Sequence, residues 1–183
     1  MQTDIEIISQ TAAWIKEVVI GCNFCPFAAK ELKSERIHYE VIRSGDFETC
    51  LHALSLEFQR LDGNESIETT LLIFPDDFED FYRYLELTDL ADRFLTDQGK
   101  EGIYQVASFH PQYLFAGSTA IDAANYTNRS LFPMLHLLRE ASLTNALAQF
   151  PHPERIPKNN ITYARKKGLE YMRELRESCR IIS

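Results

Sequence analysis

Two stretches of this chain of 183 residues carry side chains whose types and spacing could do chemistry. The first is Cys22-Asn23-Phe24-Cys25-Pro26-Phe27. A thiol beside a proline that opens a helix would meet free backbone N–H groups, which favour the thiolate. Cys22 and Cys25 also have the C-x-x-C spacing of redox dithiols. Burial as a plain hydrophobe is the competing reading, because cysteine packs well in cores and Phe24 and Phe27 flank the pair. The second stretch runs from His110 to Glu140. His110 follows the apolar run Gln105-Val106-Ala107-Ser108-Phe109, so it falls at the carboxyl end of a strand, where α/β sheets bind ligands. There it would act as general base or ligand, or simply bond a neighbouring carbonyl. Tyr126, Asn128, Arg129 and Ser130 precede a proline-started element. Arginine beside helix N–H groups suits a carboxylate or phosphate, whereas ordinary capping by Asn128 or Ser130 is the alternative. His136 and Glu140 are spaced i, i+4, so a helix there would set them on one face. With His110, and with Cys25 as a fourth ligand, they would form a zinc or iron site.

These residues need elements to hold them. Ile5, Ile8, Ala12, Ile15 and Val19 make one apolar stripe, which predicts a helix over 4–20 closed by Gly21. Pro26 then opens a short helix to about residue 32. Ile37–Val41 alternates apolar and polar residues, as an edge strand does. Residues 46–61 are the clearest helix, and the apolar run 69–74 predicts a strand covered on both faces. A helix over 77–98 and a strand over 102–109 follow. Residues 111–130 show no period; a loop of that length in a compact domain is functional or hides a misassigned element, and its specific content favours function. Pro133 is read as opening a helix to about residue 150, although its apolar positions do not keep to one face. The last helix spans 158–179, with a break at Gly168. Strands alternating with helices predict an α/β fold, a single domain over 1–183 with a three-stranded, mostly parallel sheet; an α+β sandwich is the alternative.

Composition narrows the function. A net charge of −8 without a basic run argues against nucleic acid and against anionic membranes as partners. No apolar run approaches the ~20 residues of a membrane span. The acidic amino-terminal residues are unlike a signal peptide. A cytoplasmic setting, where thiols stay reduced, is therefore expected. Glycine-rich dinucleotide and phosphate loops are missing, as is the Gly-x-Ser-x-Gly elbow, so no nucleotide cofactor is expected.

Five blocks carry a resemblance. They are Cys25-Pro26-Phe27-Ala28, Glu68 to Ile73, Gln105 to Pro111, Asn125 to Ser130 and Pro133 to Glu140. Together they resemble the bacterial domain-of-unknown-function 1415 family over nearly the whole chain. In that family an aliphatic residue stands where this chain has Cys22, which leaves Cys25 as the matching thiol. The resemblance implies a cytoplasmic bacterial protein and no particular activity. The residues themselves suggest an enzyme acting on a small anionic molecule. Cys25 would be its nucleophile, His110 or His136 the base, and Tyr126, Asn128, Arg129 and Ser130 the anion pocket. A metal enzyme and a non-catalytic module, whose polar cluster merely fixes the long loop, are the alternatives.

Overall fold

The computed structural model describes residues 2–180. Its centre is one four-stranded mixed sheet in the order β1-β2-β4-β3, with β1 Ile37–Val41, β2 Thr69–Ile73, β3 Tyr104–Phe109 and β4 Met134–Arg139. β1 and β2 are parallel, joined across helix α3 (Phe47–Gly63). Helix α4 (Phe81–Asp97) leads from β2 to β3. β4 then inserts antiparallel between β2 and β3 and pairs with both.

The sheet therefore differs from the three-stranded, mostly parallel one expected, and the reason lies in residues 133–150. Met134-Leu135-His136-Leu137-Leu138-Arg139 is rich in helix formers, but it is a strand, and only Glu140–Leu147 is helical (α5). Leucine and methionine suit a helix in isolation. Here the gap between β2 and β3 decides, because a central strand can bury both faces at once. Leu135 and Leu137 pack on one face and Met134 on the other, each at most 1% exposed. Apolar positions that fit no single helical stripe are what a strand covered on both faces produces.

Helices cover both faces. On one, α3 and α4 close a core around Leu54, Phe58, Leu72, Tyr84, Leu87 and Leu137. On the other, α1 (Asp4–Trp14) runs directly into a π-helical turn, Ile15–Ile20, which Gly21 ends. With it lie α2 (Ala28–Lys33), α5, α6 (Ile156–Lys167) and α7 (Leu169–Ser178). The last two are one sequence pattern split at Gly168, whose φ of 88° a side chain would resist. Asp46 and Asp80 cap α3 and α4 with their carboxylates. No helix among the described residues is long and apolar enough to cross a membrane.

Tyr84 ties α4 to the site end of the sheet. Its buried hydroxyl donates to the Met134 carbonyl at 2.6 Å and accepts from Phe109 N–H at 3.1 Å. Replacing Tyr84 with Phe strands both backbone groups in a closed core. The substitution should cost about 1–3 kcal/mol of stability by urea unfolding, whereas a loss under about 0.5 kcal/mol would mean that the hydroxyl holds nothing.

Candidate functional site

The α1 side of the sheet is not closed. A cavity of about 790 Å³ opens between the sheet, the π-helical turn, the Cys25-Pro26-Phe27 turn and α5. Strand alternation fixes its floor. Leu71, His136 and Ala107 are register partners across β2, β4 and β3, so their side chains rise together. Trp14, Phe24, Phe27 and Phe109 form much of the wall. Trp14 is set by an edge-on contact with Phe109 at 5.2 Å and by an indole N–H bond to the Arg129 carbonyl at 3.2 Å. α5 contributes Leu143, Ala146 and Leu147 but has no buried residue, because its apolar side faces open space. Glu31, Arg36 and Glu68 lie at the rim, where Arg36 bridges both carboxylates at 3.4 and 2.8 Å.

The polar group on the floor is His136. Its Nε2 lies 2.7 Å from Thr69 Oγ1, and that hydroxyl lies 2.6 Å from the Leu137 carbonyl. A carbonyl only accepts, so Thr69 donates its single proton there and must accept from Nε2–H. The tautomer is thereby assigned, and Nδ1 keeps a free lone pair with no partner among the described residues. Burial pushes the imidazole pKa down to about 4, so the ring is neutral at physiological pH.

Cys25 is half-buried in the same cavity. The Phe27 and Ala28 N–H groups act to lower its pKa, as at a helix start. Yet burial is the larger influence and pushes the thiol above its ordinary value. The thiolate expected from sequence is therefore not the resting form. Cys22 is buried against Tyr163 of α6 and does not line the cavity; all four cysteines are free.

His110 lies elsewhere. It is fully buried on the α4 side, against Phe81 and Tyr84. Gln112 N–H donates to its Nδ1 at 3.0 Å, so Nε2–H donates to the Phe78 carbonyl at 2.8 Å. Both nitrogens are used, and the bond helps hold Phe78 at a φ of 60°. A metal set of His110, His136, Glu140 and Cys25 does not fit. The two histidines face opposite sides of the sheet, and Glu140 is four strand positions from His136, roughly 13 Å away.

The loop residues bond backbone. Asn128 Nδ2 donates to the Ser108 carbonyl at 3.4 Å, and Ser130 Oγ to the Phe132 carbonyl. Arg129 donates to the Tyr113 and Ala120 carbonyls at 3.0 and 3.1 Å. Tyr126 is buried beneath the Arg129 guanidinium, 5.0 Å away. None of these four lines the cavity. The helix that was to start at Pro133 does not exist, so its anion-binding N–H groups do not either. The sequence's single site thus divides: Cys25 and His136 line one cavity, whereas Tyr126 and Arg129 border a separate shallow hollow.

The profile of a family described as a protein of unknown function (DUF1415) matches residues 6–174. The chain belongs to the DUF1415 family. No curated protein and no solved structure matches it.

Sequence reasoning missed Thr69, whose role needs the β2–β4 register, and it did not single out His38. In the structure His38 lies with Glu40 and the buried Glu57 on the α3 side, their ligand-type atoms within 4.8 Å of one another. Arg60 bonds both Glu57 oxygens at 3.0 Å and Thr70 adds a third bond, so this group is a satisfied ion-pair network.

Two measurements check the cavity's electrostatics. Cys22, Cys50 and Cys179 are buried, so alkylation of the native DUF1415 chain by iodoacetamide should report Cys25. Its rate should keep rising past the ~8.5 of a free thiol; a plateau below neutrality would contradict the burial argument. The second concerns His136, whose folded pKa lies below its unfolded ~6.5. Between those values the unfolded chain binds more protons, so stability falls as pH drops from about 6.5 to 4. His136→Leu should remove up to about 3 kcal/mol of that loss in urea titrations at several pH values, the remainder coming from His110, which burial also shifts down, and towards pH 4 from carboxylates such as Asp122 and Asp62 that their partners hold low. An unchanged slope would refute it.

Proposed function

We propose that this protein binds a small, largely apolar molecule in the cavity beside Trp14, oriented by one hydrogen bond to His136 Nδ1. The observation that carries the proposal is the neutral imidazole on the cavity floor, with one nitrogen fixed by Thr69 and the other without a partner. His136 is half-buried on the cavity floor, so this lone pair is an acceptor open to an incoming group. An O–H or N–H group on the ligand would satisfy it. The volume, about 790 Å³, is in the range of small-molecule sites, and its aromatic walls suit an apolar body. The free thiols are in keeping with a reducing compartment such as the cytoplasm.

Catalysis by Cys25 is the second reading, favoured by its sharing the cavity with His136. In that reading the sulfur attacks the carbonyl carbon of an acyl thioester while its proton passes to Nδ1, and the thioester C–S bond breaks to release a thiol that takes that proton. Transfer from even an ordinary thiol at ~8.5 to an imidazole at about 4 costs roughly 6 kcal/mol. The ligand would have to offset that cost, so binding is the primary reading. The small anionic substrate suggested by the sequence fits this cavity poorly, because Arg36 is already paired with Glu31 and Glu68.

Ala107 allows a direct test, since it faces the cavity beside His136 at the end of the Leu71, His136, Ala107 row. An apolar environment-sensitive dye should bind the wild type, and Ala107→Phe should weaken it about tenfold or more by filling the floor. Equal affinity in a folded variant would place the dye elsewhere and sink the binding site. For the covalent reading, incubation with a small acyl thioester should add one acyl mass, absent in Cys25→Ser; an unmodified wild type would remove it.

A further inference from the structure

On the far side of Trp14's hydrogen bond, Arg129 and Arg176 border a hollow of about 350 Å³ that shares no lining residue with the cavity. Both guanidiniums rest on the Tyr126 ring, at 5.0 and 5.2 Å. Arg129 is tied only to carbonyls, through Nε and Nη2. Its Nη1 has no partner, and no carboxylate pairs with it among the described residues. Arg176 donates through Nη1 to the Pro111 carbonyl at 2.9 Å, and it shares its one acidic partner, Glu177, with Arg180. Three arginines thus stand against a single carboxylate, in a chain whose net charge is −8. Phe81, Tyr82 and Leu114 complete the hollow, and Tyr82 is 76% exposed.

We propose that this hollow binds a small organic anion, its carboxylate or phosphate held by Arg129 and Arg176 and its apolar part laid against Phe81, Tyr82 and Leu114. Guanidinium groups fixed by carbonyls and by an aromatic face are held ready for planar, paired hydrogen bonds, which carboxylate and phosphate both accept. Backbone bonds leave the arginine charge uncompensated, whereas an anion in the hollow neutralises it. The site keeps the two residues of the anion pocket read from sequence that reach a common opening, Tyr126 and Arg129. It adds Arg176, which comes from a helix about fifty positions later. Because it is separate from the cavity, it stands or falls independently of the ligand proposed there.

The test uses the full chain labelled with nitrogen-15 in arginine, followed by NMR of the Nε–H signals. Phenyl phosphate and benzoate are titrated separately into the millimolar range, with benzyl alcohol as the neutral control. Saturable shifts of the Arg129 and Arg176 signals are expected with at least one anion, none with the alcohol, and several-fold weaker binding at high salt. Which anion saturates first identifies the head group. Tyr82→Ala, at an exposed position, should weaken the aromatic anion while leaving dye binding in the cavity unchanged. Signals that do not move with either anion, or that move equally with benzyl alcohol, would overturn the proposal.

Discussion

Everything on the α1 side of this protein follows from β4 lying antiparallel between β2 and β3. A central strand has no free backbone edge, so its register is fixed on both sides. That register puts Leu71, His136 and Ala107 in one row and aims the imidazole away from α3 and α4. A slip of one residue would turn His136 into the closed core and Leu135 or Leu137 into the cavity. The same pairing brings Thr69 within 2.7 Å of His136, and with it the hydrogen bond that decides which ring nitrogen stays free. The chemistry of the cavity is therefore a consequence of strand order.

The two faces of the sheet are used differently. The α3 and α4 side is filled by aliphatic and aromatic side chains, and its polar groups pair off: Tyr84 with Met134 and Phe109, Glu57 with Arg60 and Thr70. The α1 side is covered by more helices yet packs less completely, because α5 turns apolar residues towards a space that no side chain fills. Burying both faces to native density would add stability, since each fully buried leucine contributes roughly 1.5–3 kcal/mol. A fold that leaves one face open next to a histidine forgoes that gain, which is how binding sites commonly differ from cores.

The sequence made most helices and three strands legible because their apolar periods were unambiguous. The helix expected over 77–98 starts only at Phe81, where Asp80 caps it. The sequence misled at Met134–Arg139, where helix-favouring residues fill a central strand. Periodicity cannot separate a strand buried on both faces from a short buried helix. Once that element is a strand, the spacing of His136 and Glu140 loses its meaning. Cys25 and His136 were legible as residue types, and the fold brings them to one cavity. Their protonation was not legible, because it depends on burial: the helix-start N–H groups favour the Cys25 thiolate, but burial outweighs them.

The long loop from Pro111 to Ser130 shows how polar sequence can be spent on structure. Apart from a short 3-10 helix, Ala123–Thr127, the segment has no regular element and must satisfy its backbone groups otherwise. Asn125, fully buried, bonds Phe115 N–H and the Thr119 carbonyl; Asn128 reaches Ser108; Arg129 reaches Tyr113 and Ala120. A dense run of polar residues is thus the expected signature of an irregular loop that keeps one shape, with or without a ligand. Functional groups are then recognised by what remains after that internal bonding is counted. By this measure His110, Asn128 and Ser130 are used up, whereas His136 Nδ1 and Arg129 Nη1 are not. One is a neutral acceptor on an apolar floor and the other a cationic donor beside a shallow hollow, so the two proposed sites would take ligands of opposite chemistry.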